Sequence, residues 1–113
     1  MMTLNVFGIT YSFNYLIEFL SNYKDIFILK SYSFRSKSRK PFIIDCGSHI
    51  GISVLYFKHI YPDAQVLSFE ANPTVFKLLQ KNIEQNHAQG VRLIHAAVGE
   101  KGTGGGRQRR RRR

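Results

Sequence analysis

The stretch from Pro41 to Gly51, PFIIDCGSHIG, constrains the fold more than any other part of the chain. Phe42, Ile43 and Ile44 form a continuous apolar run that suits a strand buried on both faces, as in a parallel sheet. Gly47 and Gly51 follow, and then Ile52, Leu55, Tyr56, His59 and Ile60 fall at helical spacing, ended by Pro62 and Asp63. Val66 to Glu70 reads as a second strand. Asn72 is a good helix cap, and Pro73 suits the first helical position. Val75, Leu78, Leu79 and Ile83 make the apolar stripe of that helix. Gly90 closes the following loop, and Val91 to Val98 reads as a third strand stopped by Gly99. Strand, helix, strand, helix, strand predicts an α/β fold: a right-handed βαβαβ unit with a Rossmann-like parallel sheet.

The N-terminal part reads differently. Phe13, Leu16, Ile17, Leu20 and Lys24 follow helical spacing, with Ser12 as a candidate cap. Ile26 to Leu29 is a short apolar run, and Tyr32 and Phe34 alternate with polar residues, so an irregular or strand-like entry is expected there. Residues 35–40, RSKSRK, carry four positive charges and no apolar side chain; a solvated loop is the plain reading, and a contact with an acidic group the sharper one. The expected organisation is therefore an N-terminal helix and basic linker over 1–40, a partial cofactor-binding domain over 41–100, and a Gly/Arg-rich tail over 101–113.

Charge belongs mostly to that tail. The net charge is +10, and Lys101, Arg107 and Arg109–Arg113 supply seven of it, leaving a mildly basic body. A segment without apolar periodicity cannot bury a core, so the tail is expected to be disordered. Its arginines would attach to nucleic acid or another polyanion by counterion release. The body favours Lys over Arg and the tail reverses that preference, which suggests a foreign or frameshifted addition. No apolar run approaches the ~18 residues that cross a bilayer. One cysteine excludes an intramolecular disulfide. The chain lacks a basic N-terminal signal region, so a cytoplasmic setting is the default expectation.

The chemistry concentrates where the first strand ends. A glycine turn lets a ligand approach the backbone closely, and the helix behind it offers unpaired N–H groups. Glu70, at the end of the next strand, can accept hydrogen bonds from both hydroxyls of a ribose. The dinucleotide spacing fails at His49 and Ile52, and no lysine follows the turn as a phosphate-binding loop requires. What remains is D-x-G-x-x-x-G, whose acid disfavours a pyrophosphate and suits a ligand carrying an amino group. Plainer readings exist: Asp45 as a helix cap, and Gly47 and Gly51 as packing glycines. Cys46 is expected as a small core residue, His59 at a helix interface, and His95 as a core histidine of the third strand. The four histidines show no metal-ligand spacing.

The segments IIDCGSHIGISVLYFKHIYPDAQVLSFEANP, FKLLQKNIEQN and IHAAVGEKG resemble the start of the FkbM-type methyltransferases. That resemblance implies a class I, S-adenosylmethionine-dependent enzyme. It places Asp45, Gly47, Ser48, His49 and Gly51 around the methionine part of the cofactor, Glu70 on the ribose with Ala71 beside it, and Ala97 and Val98 near the adenine. Position 49 is more often small or asparagine in the family, and Ala71 stands where a proline is common. The family's later strands, which shape the acceptor pocket, have no counterpart here, so no catalytic residue is assigned. The acceptor would be a small-molecule or glycan-like compound. A chain of this kind, read as a fragment, is expected to show no methyl transfer alone and to self-associate through an open sheet edge. The competing reading is a non-catalytic module whose arginine tail binds nucleic acid.

Overall fold

The computed structural model describes residues 1–29 and 35–97, together with the backbone of Gly102–Thr103 and Gly105–Gly106. Three parallel strands form the central sheet: β3 (Phe42–Cys46), β4 (Gln65–Phe69) and β5 (Val91–Ile94), in the order β3-β4-β5. Phe42 pairs with Gln65 and Cys46 with Phe69, while Val66 pairs with Val91. The crossovers are α2 (Ile52–Ile60) and α3 (Pro73–Gln85). Two right-handed crossovers that step in the same direction lay both helices on one face of a sheet. The βαβαβ expectation holds, with β5 ending at Ile94 rather than Val98.

Local chemistry explains these boundaries. Asn72 caps α3 with its side-chain oxygen, accepting from the N–H groups of Thr74 and Val75, and Pro73 opens the helix. From Ile52 to Phe57 every residue of α2 is buried, so this helix is core throughout. Leu78, Leu79 and Ile83 bury the stripe of α3.

The opening segment corrects the sequence reading. Two antiparallel strands, β1 (Met2–Val6) and β2 (Ile9–Phe13), precede the helix. Phe7 and Gly8 connect them with φ of 50° and 87°, the positive pair that a two-residue hairpin turn of right-handed twist requires. Ser12 is not a cap but a buried member of β2. The helix α1 (Leu16–Tyr23) starts at Tyr15, which makes no side-chain cap. A π-helical turn, Lys24–Ile28, continues it where a strand-like entry was expected. Tyr32 and Phe34 lie outside the described residues.

α1 also turns a different face inward than its apolar spacing suggested. Phe19 is buried, whereas Leu16, Ile17 and Leu20 are exposed, Ile17 at 78%. The inward face is aromatic. Phe13 stacks on Phe19 at 4.3 Å, Tyr23 stacks on Phe27 at 4.8 Å, and Tyr11 sits among Phe19, Tyr23 and Phe27. Phe27 meets Tyr56 edge-on and so joins this cluster to α2. Tilted and edge-on ring pairs of this kind add to the plain burial of the rings.

Polar side chains of α3 tie the hairpin to the sheet unit. Asn82 is fully buried. Its Oδ1 accepts from Ser12 N at 2.7 Å and Gln85 Nε2 at 2.8 Å; its Nδ2 donates to Ser12 O at 3.0 Å and Ile50 O at 2.7 Å. Asn86 exchanges bonds with Thr10 N at 2.8 Å and Thr10 O at 2.7 Å. These amides occupy the edge of β2 that a third strand would otherwise pair with.

Three further expectations are corrected. β3 is buried on one face only: Phe42 and Ile44 are 67% and 57% exposed on the other. Cys46, on that same outer face, is exposed rather than core. His95 lies past the end of β5 and is exposed. His59, expected at a helix interface, is exposed on α2 and meets Phe27 of the π-helical turn at 6.1 Å. In the tail, Gly102–Thr103 pairs antiparallel with Gly105–Gly106, a backbone pairing that needs no side-chain core. Arg109–Arg113, expected as a disordered polyanion-binding run, lie outside the described residues. Among the described residues no helix is long and apolar enough to cross a membrane, and no His/Cys/Asp/Glu cluster suits a metal ion.

Candidate functional site

The carboxyl ends of β3 and β4 bring Asp45, the glycine turn and Glu70 together. The turn itself is built on backbone bonds. Gly47 N and Ser48 N both donate to Phe69 O at 2.9 Å, and Gly51 N donates to Ser48 O at 3.0 Å. Gly47, His49 and Gly51 all have positive φ, at 72°, 55° and 99°. His49 therefore holds a left-handed conformation that asparagine and histidine adopt more readily than most side chains. Its departure from the asparagine common in the resembled family keeps the backbone geometry that asparagine would serve.

The two glycines do different work. A Cβ built on Gly51 would stand 2.9 Å from Leu79 Cδ1, a methyl of a fully buried side chain that would have to shift, and the φ of 99° strains any other residue there. A Cβ on Gly47 meets nothing within 4 Å. The Gly47 backbone faces open space at the sheet edge, where a ligand can come close to it.

Asp45 is buried beneath the turn. Its Oδ2 accepts from Ser53 Oγ at 2.6 Å and from Ser48 Oγ at 3.0 Å, and Ser48 Oγ also contacts Ser68 Oγ. Asp45 is not the helix cap that the plainer reading made it: α2 begins at Gly51 with no side-chain cap, and Asp45 reaches the first turn of α2 only through the hydroxyl of Ser53. Asp45, Ser48, Ser53 and Ser68 lock the turn to β4 and α2 from below.

Glu70 is half-buried beside the turn. Its Oε1 accepts from His49 N at 2.8 Å and its Oε2 from Asn72 N at 3.0 Å. A carboxylate offers about four acceptor positions. Two remain after these bonds, enough for a pair of vicinal hydroxyls. Glu70 N donates to Ile94 O at 3.1 Å, which carries the carboxylate at a fixed height above β5.

Other expected residues are placed around this centre. Ala71 and Ala97 are exposed at the strand ends. Val98 lies outside the described residues. His95, which the sequence reading put in the core, instead joins two loops: its Nε2 lies 2.9 Å from Ala71 O and its ring stacks on Phe76 at 4.9 Å. A carbonyl only accepts, so Nε2 carries the proton. The loop after β5 is thereby fixed against the loop after β4.

A cleft of about 280 Å³ opens beside the turn, between α1 and the start of α3. Phe13, Phe19, Ile50 and Leu78 supply apolar lining, and Glu18, Asn22, His49 and Asn72 polar groups. His49 Nε2 lies 3.5 Å from Glu18 Oε1, while its Nδ1 is buried without a partner among the described residues. Glu18, Asn22 and Asn82 were not expected from the sequence. The signal for Asn82 was three amides at 82, 85 and 86 beside the apolar stripe of α3; for Glu18 there was none.

A parallel sheet with a glycine turn after its first strand and an acid after its second is a Rossmann-like architecture of the kind methyltransferases use. The comparisons agree. The chain is 36% identical over 83 residues to Methyltransferase 1 of Beauveria bassiana (strain ARSEF 2860), covering 74% of this chain and 32% of that protein. It is also 36% identical over 77 residues to Methyltransferase sdnD of Sordaria araneosa, covering 67% of this chain and 30% of that protein. Among solved structures, M. jannaschii TYW2 in complex with AdoMet superposes with a TM-score of 0.61 at 18% identity, over 83% of this chain and 42% of that one. The chain thus spans about a third of the length of the curated relatives it matches. No family model matches it.

Proposed function

We propose that this chain is the cofactor-binding part of an S-adenosylmethionine-dependent methyltransferase of FkbM-like type. One observation carries the reading. The Glu70 carboxylate, with two acceptor positions to spare, stands directly beside the open backbone of the Gly47 turn. The AdoMet complex of the structural neighbour and the methyltransferase relatives support it.

Each residue then has a part. Glu70 accepts the ribose hydroxyls. Gly47 lets the methionine moiety approach the turn, and Ser48 and Asp45 hold the turn rigid from beneath. Ala71 and Ala97 leave room at the loop ends for the adenine, with His95 fixing the spacing between the loops. Val98 is proposed on the adenine side from the family resemblance alone. The bound sulfonium supplies an already activated methyl group, so the protein's task is to orient the acceptor in line with it. A small-molecule or glycan-like acceptor fits the family resemblance.

Isothermal calorimetry with S-adenosylhomocysteine tests this. The wild type should bind it and should not bind NAD. Glu70→Ala should weaken binding by about 1–3 kcal/mol, since it removes hydrogen bonds to a charged acceptor. Equal affinity of the two proteins, with unchanged melting, would refute the role of Glu70.

A further inference from the structure

The geometry points to a lipid-contact surface at the pole of the molecule opposite the glycine turn, one that seats Phe7 in an anionic membrane interface. Phe7 is 95% exposed. It also holds φ of 50°, a conformation in which an aromatic residue is unusual and asparagine is preferred. A large apolar side chain that is both strained and in water gains nothing from the fold that carries it.

The tip is nonetheless tightly built. Asn5 Oδ1 accepts from Gly8 N at 3.2 Å, and Asn5 Nδ2 donates to Thr10 Oγ1 at 2.9 Å. β2 is fixed in turn to α3 through Thr10 and Asn86. The ring is thus presented on a rigid support, which lowers the entropy lost on contact.

The pole is identified by what surrounds the tip. Gly8 shares a hollow with Lys58, His59, Pro62 and Asn86, at the carboxyl ends of α2 and α3. The basic loop sits at the same end: Ser36 N donates to Tyr61 Oη at 2.7 Å, and Pro41 O accepts from Gln65 N. Arg35, Lys37, Arg39 and Lys40 are therefore gathered at the pole where β3 begins, with Asp63 and, in the last turn of α3, Glu84 as acids at that end, and Asp25 one turn before Ile28. Ile28 and Leu29, 65% and 60% exposed, follow directly after Phe27, whose ring faces His59. Exposed apolar groups flanked by clustered Lys and Arg match an interface of acyl chains beneath anionic headgroups. Gly47 and Glu70, at the other ends of the strands, stay clear of it.

The chain has no tryptophan, so Phe7→Trp in the full chain places a single emitter at the tip. Vesicles of phosphatidylcholine with phosphatidylserine should shift its emission to the blue, and brominated acyl chains should quench it; pure phosphatidylcholine should do neither. Phe7→Asn, favoured by the turn, should melt no lower than wild type and bind the anionic vesicles on the order of tenfold more weakly. Lys37→Glu with Arg39→Glu should weaken binding to a similar degree. The proposal is overturned if the indole of F7W keeps its water-exposed emission while the chain sediments with the vesicles, which would assign the binding to the arginine tail. It is equally overturned if the shift appears without lipid and grows with protein concentration, which would make the partner a second copy.

Discussion

Single residues settle how this site is built, and they respond differently to substitution. Gly51→Ala meets Leu79 at 2.9 Å in a left-handed conformation, so it should lower stability by about 1–3 kcal/mol. Gly47→Ala has room for its Cβ and should cost only about 1 kcal/mol of backbone strain, while reducing cofactor affinity. Chemical denaturation of both variants, beside S-adenosylhomocysteine binding, checks this contrast. His49→Asn should leave stability within about 1 kcal/mol of wild type. Asparagine suits the left-handed conformation, and the His49–Glu18 contact is too exposed, at 44% and 55%, to contribute more. Asn82→Leu should be far costlier, about 2–4 kcal/mol, because it strands Ser12 N, Ser12 O and Ile50 O in a buried environment.

The glycines and Glu70 were legible because the turn after β3 needs positive φ at positions 47 and 51, and because a carboxylate closing the second strand stands out after an apolar run. Asn82 was not, because an amide on an amphipathic helix shows its partners only once distant segments arrive.

At the scale of elements, the parallel unit was readable and the hairpin was not. Continuous apolar runs, a Pro-led helix and glycine breaks carry β3 through β5 in the sequence. β1 and β2 are joined by Phe7-Gly8, which lacks the asparagine or aspartate that signals such a turn. Apolar periodicity marks α1 as a helix, but the face it turns inward is not the one its aliphatic residues define. Leu16, Ile17 and Leu20 are aliphatic and exposed, while the aromatic side wins the core through Phe19 and Tyr23. Within that aromatic cluster Tyr11 is fully buried, and its hydroxyl has no partner among the described residues. Burial, aided by Tyr23, pushes its pKa above the usual tyrosine value. The unfolded chain would release this proton near its ordinary pKa of about 10 while the folded protein keeps it. The contribution is therefore complete below that pH and is lost as pH rises above it. Tyr11→Phe should leave stability equal or higher at neutral pH, by up to about 1 kcal/mol, and should flatten the alkaline fall. Thermal melts between neutral and alkaline pH measure both effects.

For the whole molecule, the decisive feature is a three-stranded sheet covered on one face. β3 forms one edge of the described sheet, and Phe42 and Ile44 project from the uncovered face beside it. Edges and apolar faces of this kind recruit further chains. Phe42→Lys with Ile44→Thr should reduce concentration-dependent self-association in analytical ultracentrifugation without lowering cofactor affinity, since both residues point away from Glu70 and the turn. An unchanged association state would locate the contact elsewhere.

The central claim is that one nucleoside site is shared by the Gly47 turn and the Glu70 strand end. Amide chemical-shift mapping of the isotope-labelled chain with S-adenosylhomocysteine tests it most directly. The account predicts shifts concentrated at Gly47, Ser48, His49, Glu70, Ala71 and Ala97, with the hairpin tip at Phe7 and Gly8 unmoved. Saturable binding whose shifts avoid both the turn and Glu70 would contradict it.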